Sequence, residues 1–410
     1  MPRTRQLLHE EITYSVAKDK EQQFQFFSFL ENHDDWIQAI VAYHLNLPVN
    51  ACQVAHSGDW LYKSCNVCIP VTVSGLNPKL QPGSRVLVHF PLPYRVGEFS
   101  KPGNSDEKVR CEAGTYAWLE EHCPDIPIPR HYGFGMGTGE TFTWIENLPL
   151  ISHWIECFHR TLLLILHHPI HSRYVRCQYR PRRGDPKIPY LLIEYIEESQ
   201  GRMLSYNDSR LQNKLNAVND MPDFLYQASC LATMQTVFPL FFQRHLRRGP
   251  FVFLLTDLHP SNIFVDENWC ITSLVDLEYA CSLPIEMVHP PYWFTTLSVD
   301  RIEPEEYDQQ RLEFMTVLTE EEERCDSLGK GKLRLSSIMG TAWSIGTFWY
   351  SLALTTPSGL FSIIQNQIRP CLIHRPEDNN SEEDNHSLKF MPWYWARNIA
   401  AIYGRKVADK

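Results

Sequence analysis

The sequence predicts a two-lobed α+β protein, a small antiparallel sheet followed by a larger, mainly helical body. Three features lead there. Short apolar runs such as NVCIPVTV and RVLVHF, parted by Asn77-Pro78 and Pro82-Gly83, read as a meander, and PYLLIEYIEE before Gly201 reads as a buried strand. After Gly201 the pattern takes the helical period almost to the end, and this order of elements is that of an α+β fold with a cleft as its default ligand site.

Taken in order, Phe24, Phe27, Leu30, Trp36, Ile37, Ile40, Val41 and Leu45 fall at helical spacing, interrupted at Asn32-His33-Asp34-Asp35, so two short helices are expected first. The meander follows. Asn104-Ser105-Asp106-Glu107 offers cap residues and acids ahead of a helix to Glu121 whose apolar positions include Val109, Ala113, Tyr116 and Leu119. CPDIPIPR then leads to strand-like sequence from Tyr132 to Trp144, and Leu148 to Arg183 reads as a helical excursion ending in the basic YRPRRGDPK, a solvated turn. Helices are expected at Tyr307–Arg324, Ser336–Leu354 and Gly359–Arg369, and a loop at the polar tract from Glu377. The domains expected are residues 1–47 as an N-terminal helical extension, 48–196 as an N-lobe with a helical insertion at about 148–187 and ending in a hinge, and 197–410 as a helical C-lobe.

Composition narrows the function. With 43% hydrophobic and 21% charged residues among 410, the chain is no disordered tail, and 38 Lys and Arg against 48 Asp and Glu give a net charge of -10 that opposes a phosphate backbone. Nucleic acid is not an expected partner. The polar start lacks an apolar signal core, which points to the cytoplasm, and the most apolar run, Thr161–Leu166, is too short to span a bilayer, so no membrane partner is expected. Twelve scattered cysteines read as free thiols, and Cys65-x-x-Cys68, with no second pair to complete a zinc site, reads as strand.

The chemistry concentrates in LLTDLHPSNIFVDENWCITSLVDLEYA, from Leu254 to Ala280. IFV and ITSLV can pair across DENWC, bringing Asn262 and Asp276 to one mouth of the hairpin, while Asp257 lies five residues before Asn262. One carboxylate for a substrate hydroxyl and two oxygen ligands for Mg²⁺ are the division of labour that phosphoryl transfer needs.

These residues resemble the catalytic and metal-binding loops of the aminoglycoside phosphotransferase and choline kinase family, relatives of protein kinases. The similarity extends to FPLPYRVGE, the helix from Glu107, LLIEYIEESQGRM and SLPIEMVHPPYW, which are similar to a fungal branch. The resemblance implies a two-lobed protein kinase-like fold and an ATP- and Mg²⁺-dependent kinase for a small-molecule hydroxyl acceptor. By the same resemblance Asp257 is the catalytic base or substrate-orienting carboxylate, and Asn262 and Asp276 are the metal ligands. Glu112 matches the acid that holds a strand base over the nucleotide phosphates, and Glu194 and Ile196 match the adenine-binding hinge.

Leu255-Thr256 replaces the usual His-Gly before Asp257, the span from Glu194 to Asp257 is short, and two further positions depart from that pattern at the phosphates. The strand base falls at His89, where the family carries Lys or Arg, and histidine is shorter and mostly uncharged at neutral pH. Lys63 stands where the phosphate-covering hairpin is expected to turn on glycine. The same two residues motivate an alternative, a catalytically impaired pseudokinase that binds a nucleotide, metabolite or protein.

Overall fold

The computed structural model describes residues 19–62, 65–74, 84–177, 184–207, 221–295, 297–324, 334–356 and 359–370, with side chains of 206–207 and 221–229 excepted. Lys63, Arg180, Arg182, Arg183 and the tract from Glu377 lie outside the described residues. The chain forms two compact units, Met1–Leu204 with Ser261–Ala280, and Ser205–Pro260 with Cys281–Lys410.

In the first unit, helices α1 (residues 19–31) and α2 (Asp34–Leu45) are separated by the break expected at Asn32–Asp35, and α2 ends on Asn46 in the left-handed conformation. Strands β1 (Cys52–Val54), β2 (Leu61–Tyr62), β3 (Asn66–Val73) and β4 (Arg85–Pro91) form the meander. Helix α3 (Asn104–His122) follows, then the hairpin of β5 (His131–Gly135) and β6 (Thr141–Trp144). Helix α4 (Leu150–Ile165), β7 (Tyr174–Cys177) and β8 (Tyr190–Glu194) complete an antiparallel sheet of order β1-β3-β4-β8-β5-β6-β7, with β2 on β3.

Two-residue alternation gives that sheet two different faces. Val86, Val88 and Phe90 of β4 join Val67, Ile69, Val71, Leu192 and the α2 residues Trp36, Ile37 and Ile40 in one core. His89, between them in sequence, therefore faces the other side, where α3 packs on β4, β5 and β8. Register places His89 opposite Cys68 on β3 and Leu191 on β8, the centre of the sheet.

The helical excursion expected from Leu148 to Arg183 is corrected: among its described residues the helix covers Leu150–Ile165, and the chain returns as β7 against β6. Tyr174 explains the return, because its ring is buried and its hydroxyl donates to the Glu120 carboxylate and the His131 carbonyl. The cap of α3 also differs from expectation. Glu98, ahead of the helix, accepts from the N–H groups of Gly103 and Ser105 at 2.6 and 2.7 Å, supplying the first turn with both an acceptor and a negative charge.

A smaller sheet in this unit joins β9 (Arg202–Met203), β11 (Ile263–Val265) and β12 (Ile271–Leu274) in the order β12-β11-β9. The hairpin expected between IFV and ITSLV is therefore present, with Ile263 opposite Leu274.

Among the described residues the second unit is helical apart from the pair β10 (Phe251–Leu255) and β13 (Ala280–Pro284). Its helices are α5 (Met221–Phe241), α6 (Pro304–Arg324), α7 (Leu335–Ile345), α8 (Thr347–Thr355) and α9 (Leu360–Ile363), which passes into a π turn over Ile364–Ile368. The core gathers Met234, Phe241, Tyr307, Phe348, Tyr350 and Leu352. The helix expected over Ser336–Leu354 is two helices, because Gly346 takes φ +90°, a left-handed value that ends α7 and redirects the chain into α8.

Candidate active site

Helix α3 sets the first part of the site. Its apolar positions Val109, Ala113, Tyr116 and Leu119 are buried, and Glu112 lies on the same inward side with 3% of its side chain exposed. Glu112 Oε1 stands 3.9 Å from His89 Nδ1, so the strand base and the helix acid matched from the sequence are brought together. Burial pushes the Glu112 carboxyl up to about 7, opposed by the Lys108 ammonium and reinforced by the negative charge of Asp276. The arginines nearest in sequence, Arg85 on β4 and Arg95 in the turn after it, are engaged elsewhere. Arg85 forms a two-pronged pair with Glu197 and lies 3.9 Å over the Tyr195 ring, and Arg95 pairs with Asp19.

The second part is a cation not identified in the sequence reading. Lys108, one helical turn before Glu112, points its ammonium at Glu278, in close contact, with 10% and 5% of the two side chains exposed. Asn66, at the start of β3, is the third member of this cluster. With its amide turned so that the oxygen faces Lys108, that oxygen accepts from Nζ at 3.3 Å and the amide nitrogen donates to the Cys65 carbonyl at 3.2 Å. The signal for Lys108 was present as an i, i+4 pair with Glu112 on one helix face, and for Glu278 as the second acid after Asp276.

The hairpin of β11 and β12 sets the third part. The Val275 N–H donates to the Asn262 carbonyl at 2.9 Å, fixing the residue beside Asp276 to the residue that begins β11. Asn262 is buried. Asp276 adopts φ 62° and ψ 57°, a left-handed conformation uncommon outside glycine, asparagine and aspartate, and it starts the turn Leu277–Tyr279 that packs on α3. Its Oδ1 is buried without a hydrogen-bond partner in the structure.

An uncompensated carboxylate oxygen beside a buried amide residue is a fit for a hard divalent cation, since Mg²⁺ takes oxygen ligands, keeps several waters and needs only one or two protein carboxylates when phosphates supply the rest. Among the described residues there is no cluster of three or more His, Cys, Asp or Glu side chains that would make a closed protein cage.

Asp257 belongs to the second unit. It follows β10, whose pairing with β13 holds the strand end, and the next residue, Leu258, accepts from Trp293 Nε1 at 2.9 Å. Tyr292 is raised by burial and then by the negative charge of Asp257. Of the hinge residues, Glu194 gives its N–H to the Arg130 carbonyl at 2.8 Å and accepts on its side chain from the Arg130 N–H and from Gln200. Ile196 is half-buried in the segment that follows β8.

The model of the phosphotransferase enzyme family, APH, matches residues 94–286. That span holds Glu112, Glu194, Ile196, Asp257, Asn262 and Asp276 and begins after His89. The match supports a small-molecule phosphotransferase of the protein kinase-like superfamily in general. No curated protein matches the chain. Among solved structures, an ethanolamine kinase of Plasmodium vivax is similar at 12% identity over 81% of this chain and 78% of that one, with a TM-score of 0.28, a likeness too slight to carry an argument.

Proposed function

We propose that this protein is an ATP- and Mg²⁺-dependent phosphotransferase that phosphorylates a hydroxyl group of a small molecule, and that it works in the cytoplasm. The observation that carries the reading is Asp276. Its left-handed turn, its tie to Asn262 through Val275 and its unpartnered buried oxygen form a preorganised acceptor, which a structural carboxylate would not need. The family match over 94–286 supports the same class, and the motifs are similar to those of a fungal branch of it.

In this reading Asp276 and Asn262 would hold the cation, which would supply positive charge to neutralise the phosphates. Asp257 orients the acceptor hydroxyl and takes its proton as the new O–P bond forms and the bond to the ADP oxygen breaks. Lys108, held by Glu278, places positive charge near the phosphates, and His89, beside Glu112, stands at the position of the strand base. The backbone C=O of Glu194 and N–H of Ile196 receive adenine.

The test is a thermal shift with ATP or ADP, with and without Mg²⁺, followed by turnover assays on acceptor alcohols. A Mg²⁺-dependent rise with ATP, lost in Asp276→Asn, together with turnover abolished in Asp257→Ala, is the expected result. Asparagine keeps the side-chain shape and tolerates the left-handed backbone, so Asp276→Asn removes charge and not fold. No shift at millimolar ATP, or turnover that survives in Asp257→Ala, overturns the assignment and leaves a binding module without phosphoryl chemistry.

A further inference from the structure

A cavity of about 530 Å³ lies in the first unit between α2, β6, β7 and α4. Strand alternation sets its floor. Thr143 of β6 stands opposite Val175 of β7, and Thr141 opposite Cys177, so Thr143, Val175 and Cys177 share one face of the sheet. That face is the α2 side, because Thr143 Oγ1 lies 2.9 Å from His44 Nδ1. The candidate active site is on the other side, where His89 meets α3. Helix α4 closes the cavity with Ser152, Ile155 and Glu156, which follow Pro149 at the spacing of one helix face. Its wall is held in place: His153 Nδ1 donates to the Ile145 carbonyl at 3.0 Å, and Arg160 donates to the carbonyls of His171 and Ser172. A preformed cavity of this volume is of the size that takes a small molecule.

We propose that this cavity binds a small hydrophobic amine, an apolar body that carries a cationic nitrogen and a neutral oxygen acceptor. Leu47, Leu148, Pro149, Ile155 and Val175 supply the apolar lining. Charge selects the nitrogen. Of the lining residues that carry charge, Arg176 is turned away, since alternation puts it on the face opposite Val175 and Cys177 and its guanidinium pairs with Glu140 at 2.8 Å. Glu156, with 32% of its side chain exposed, has no such pair. Among the described residues the basic group nearest its carboxylate is His159 Nδ1, 3.9 Å away and beyond hydrogen-bond length. A half-desolvated carboxylate in an apolar wall favours a cation that can donate to it. Asn147 selects the oxygen. It is 5% exposed, and its amide nitrogen is buried without a hydrogen-bond partner, a cost that a ligand acceptor in the cavity removes.

The site is separate from the phosphoryl chemistry. It lies across the sheet from Glu112 and uses none of Asp257, Asn262, Asp276 or Lys108, so it stands whether or not the phosphotransferase reading does. Sequence alone gives no sign of it, because its walls come from segments between Ala42 and Cys177 that only the sheet and α4 bring together.

The test is isothermal titration calorimetry of the full-length protein, without nucleotide, against phenoxyethylamine, phenoxyethanol and phenoxyacetate, which share one aromatic ether and differ in charge. The amine is expected to bind about ten-fold more tightly than the alcohol, the gain of one charge-assisted contact, and the acid more weakly than either. Glu156→Gln should remove the preference for the amine and leave the affinity for the alcohol as it was. Asn147→Ala should weaken amine and alcohol alike. Ser152→Trp, at an exposed position on the wall, should block the amine with an unchanged thermal midpoint. Equal affinity for the three probes, a preference that survives Glu156→Gln, amine binding that survives Ser152→Trp, or no binding of the amine at millimolar concentration overturns the proposal.

Discussion

Lys108 and Glu278 form a nearly buried ion pair that ties helix α3 to the turn after Asp276, two residues beyond the proposed metal ligand. A charge buried with its partner is tolerated, but removal of one partner leaves the other desolvated and uncompensated. Lys108→Ala should therefore destabilise the protein by about 3 kcal/mol in urea unfolding. Lys108→Met with Glu278→Gln removes both charges together and should recover most of that loss. If Lys108 also serves the phosphates, the double variant stays impaired in Mg²⁺-ATP thermal shift although its stability returns. Recovery of both properties would assign the pair to structure alone.

His89 stands where a longer, permanently charged side chain is expected, and it faces a carboxyl that burial holds at about 7. His89→Lys supplies a fixed charge that draws Glu112 into its ionised form, and it extends the donor farther along the α3 side of the sheet. The expected outcome is a larger Mg²⁺-ATP thermal shift or a measurable ATPase leak. An unchanged shift would transfer the phosphate contact to Lys108.

Much of this arrangement is visible in the sequence, and the reasons for the exceptions are physical. The 262–276 hairpin was legible because two apolar runs flank a turn, and the Glu112–His89 contact because the resemblance supplied both partners. Lys108 was missed because an exposed helical lysine and a buried one look alike until the partner, Glu278, is known from 170 residues away. The return of the chain as β7 was missed because YVRC is short and its signal is a tertiary contact of Tyr174 with Glu120. Gly346 looked like one more residue in a helical run, and only its left-handed φ shows it ending α7.

The Glu112 carboxyl gives the stability of the protein a pH dependence. Its value rises from 4.5 to about 7 on folding, chiefly by burial, so between those limits the folded state holds a proton that the unfolded state has released. Stability from this group is present below pH 4.5 and is lost as pH rises to 7. Glu112→Gln keeps the shape and removes the ionisation, so it should stabilise the protein at pH 8 by about 3 kcal/mol and make little difference at pH 4.5. Urea unfolding of the metal-free protein at the two pH values checks this, and a uniform loss at both would show that the carboxylate is needed for packing.

His44 and His131 act in the opposite sense. Both are fully buried and held down to about 3, His44 by burial and His131 by burial and then by His44, and His44 is engaged with Tyr190 Oη at 3.0 Å and Thr143 Oγ1 at 2.9 Å. Below pH 6.5 the unfolded state takes up protons that the folded state refuses, so stability falls on acidification by about 1.4 kcal/mol per pH unit for each ring. Among these three groups the two rings outweigh the one carboxyl, and their joint effect between pH 6.5 and 5 is a loss. His44→Asn keeps a hydrogen-bonding side chain that does not titrate, and the slope of unfolding free energy against pH should flatten by one proton. Glu112→Gln, in contrast, should make the acid slope steeper, because it removes one of the groups that favour the folded state on acidification. An acid slope that neither substitution changes would mean that these three groups are not what sets the acid limit of the fold.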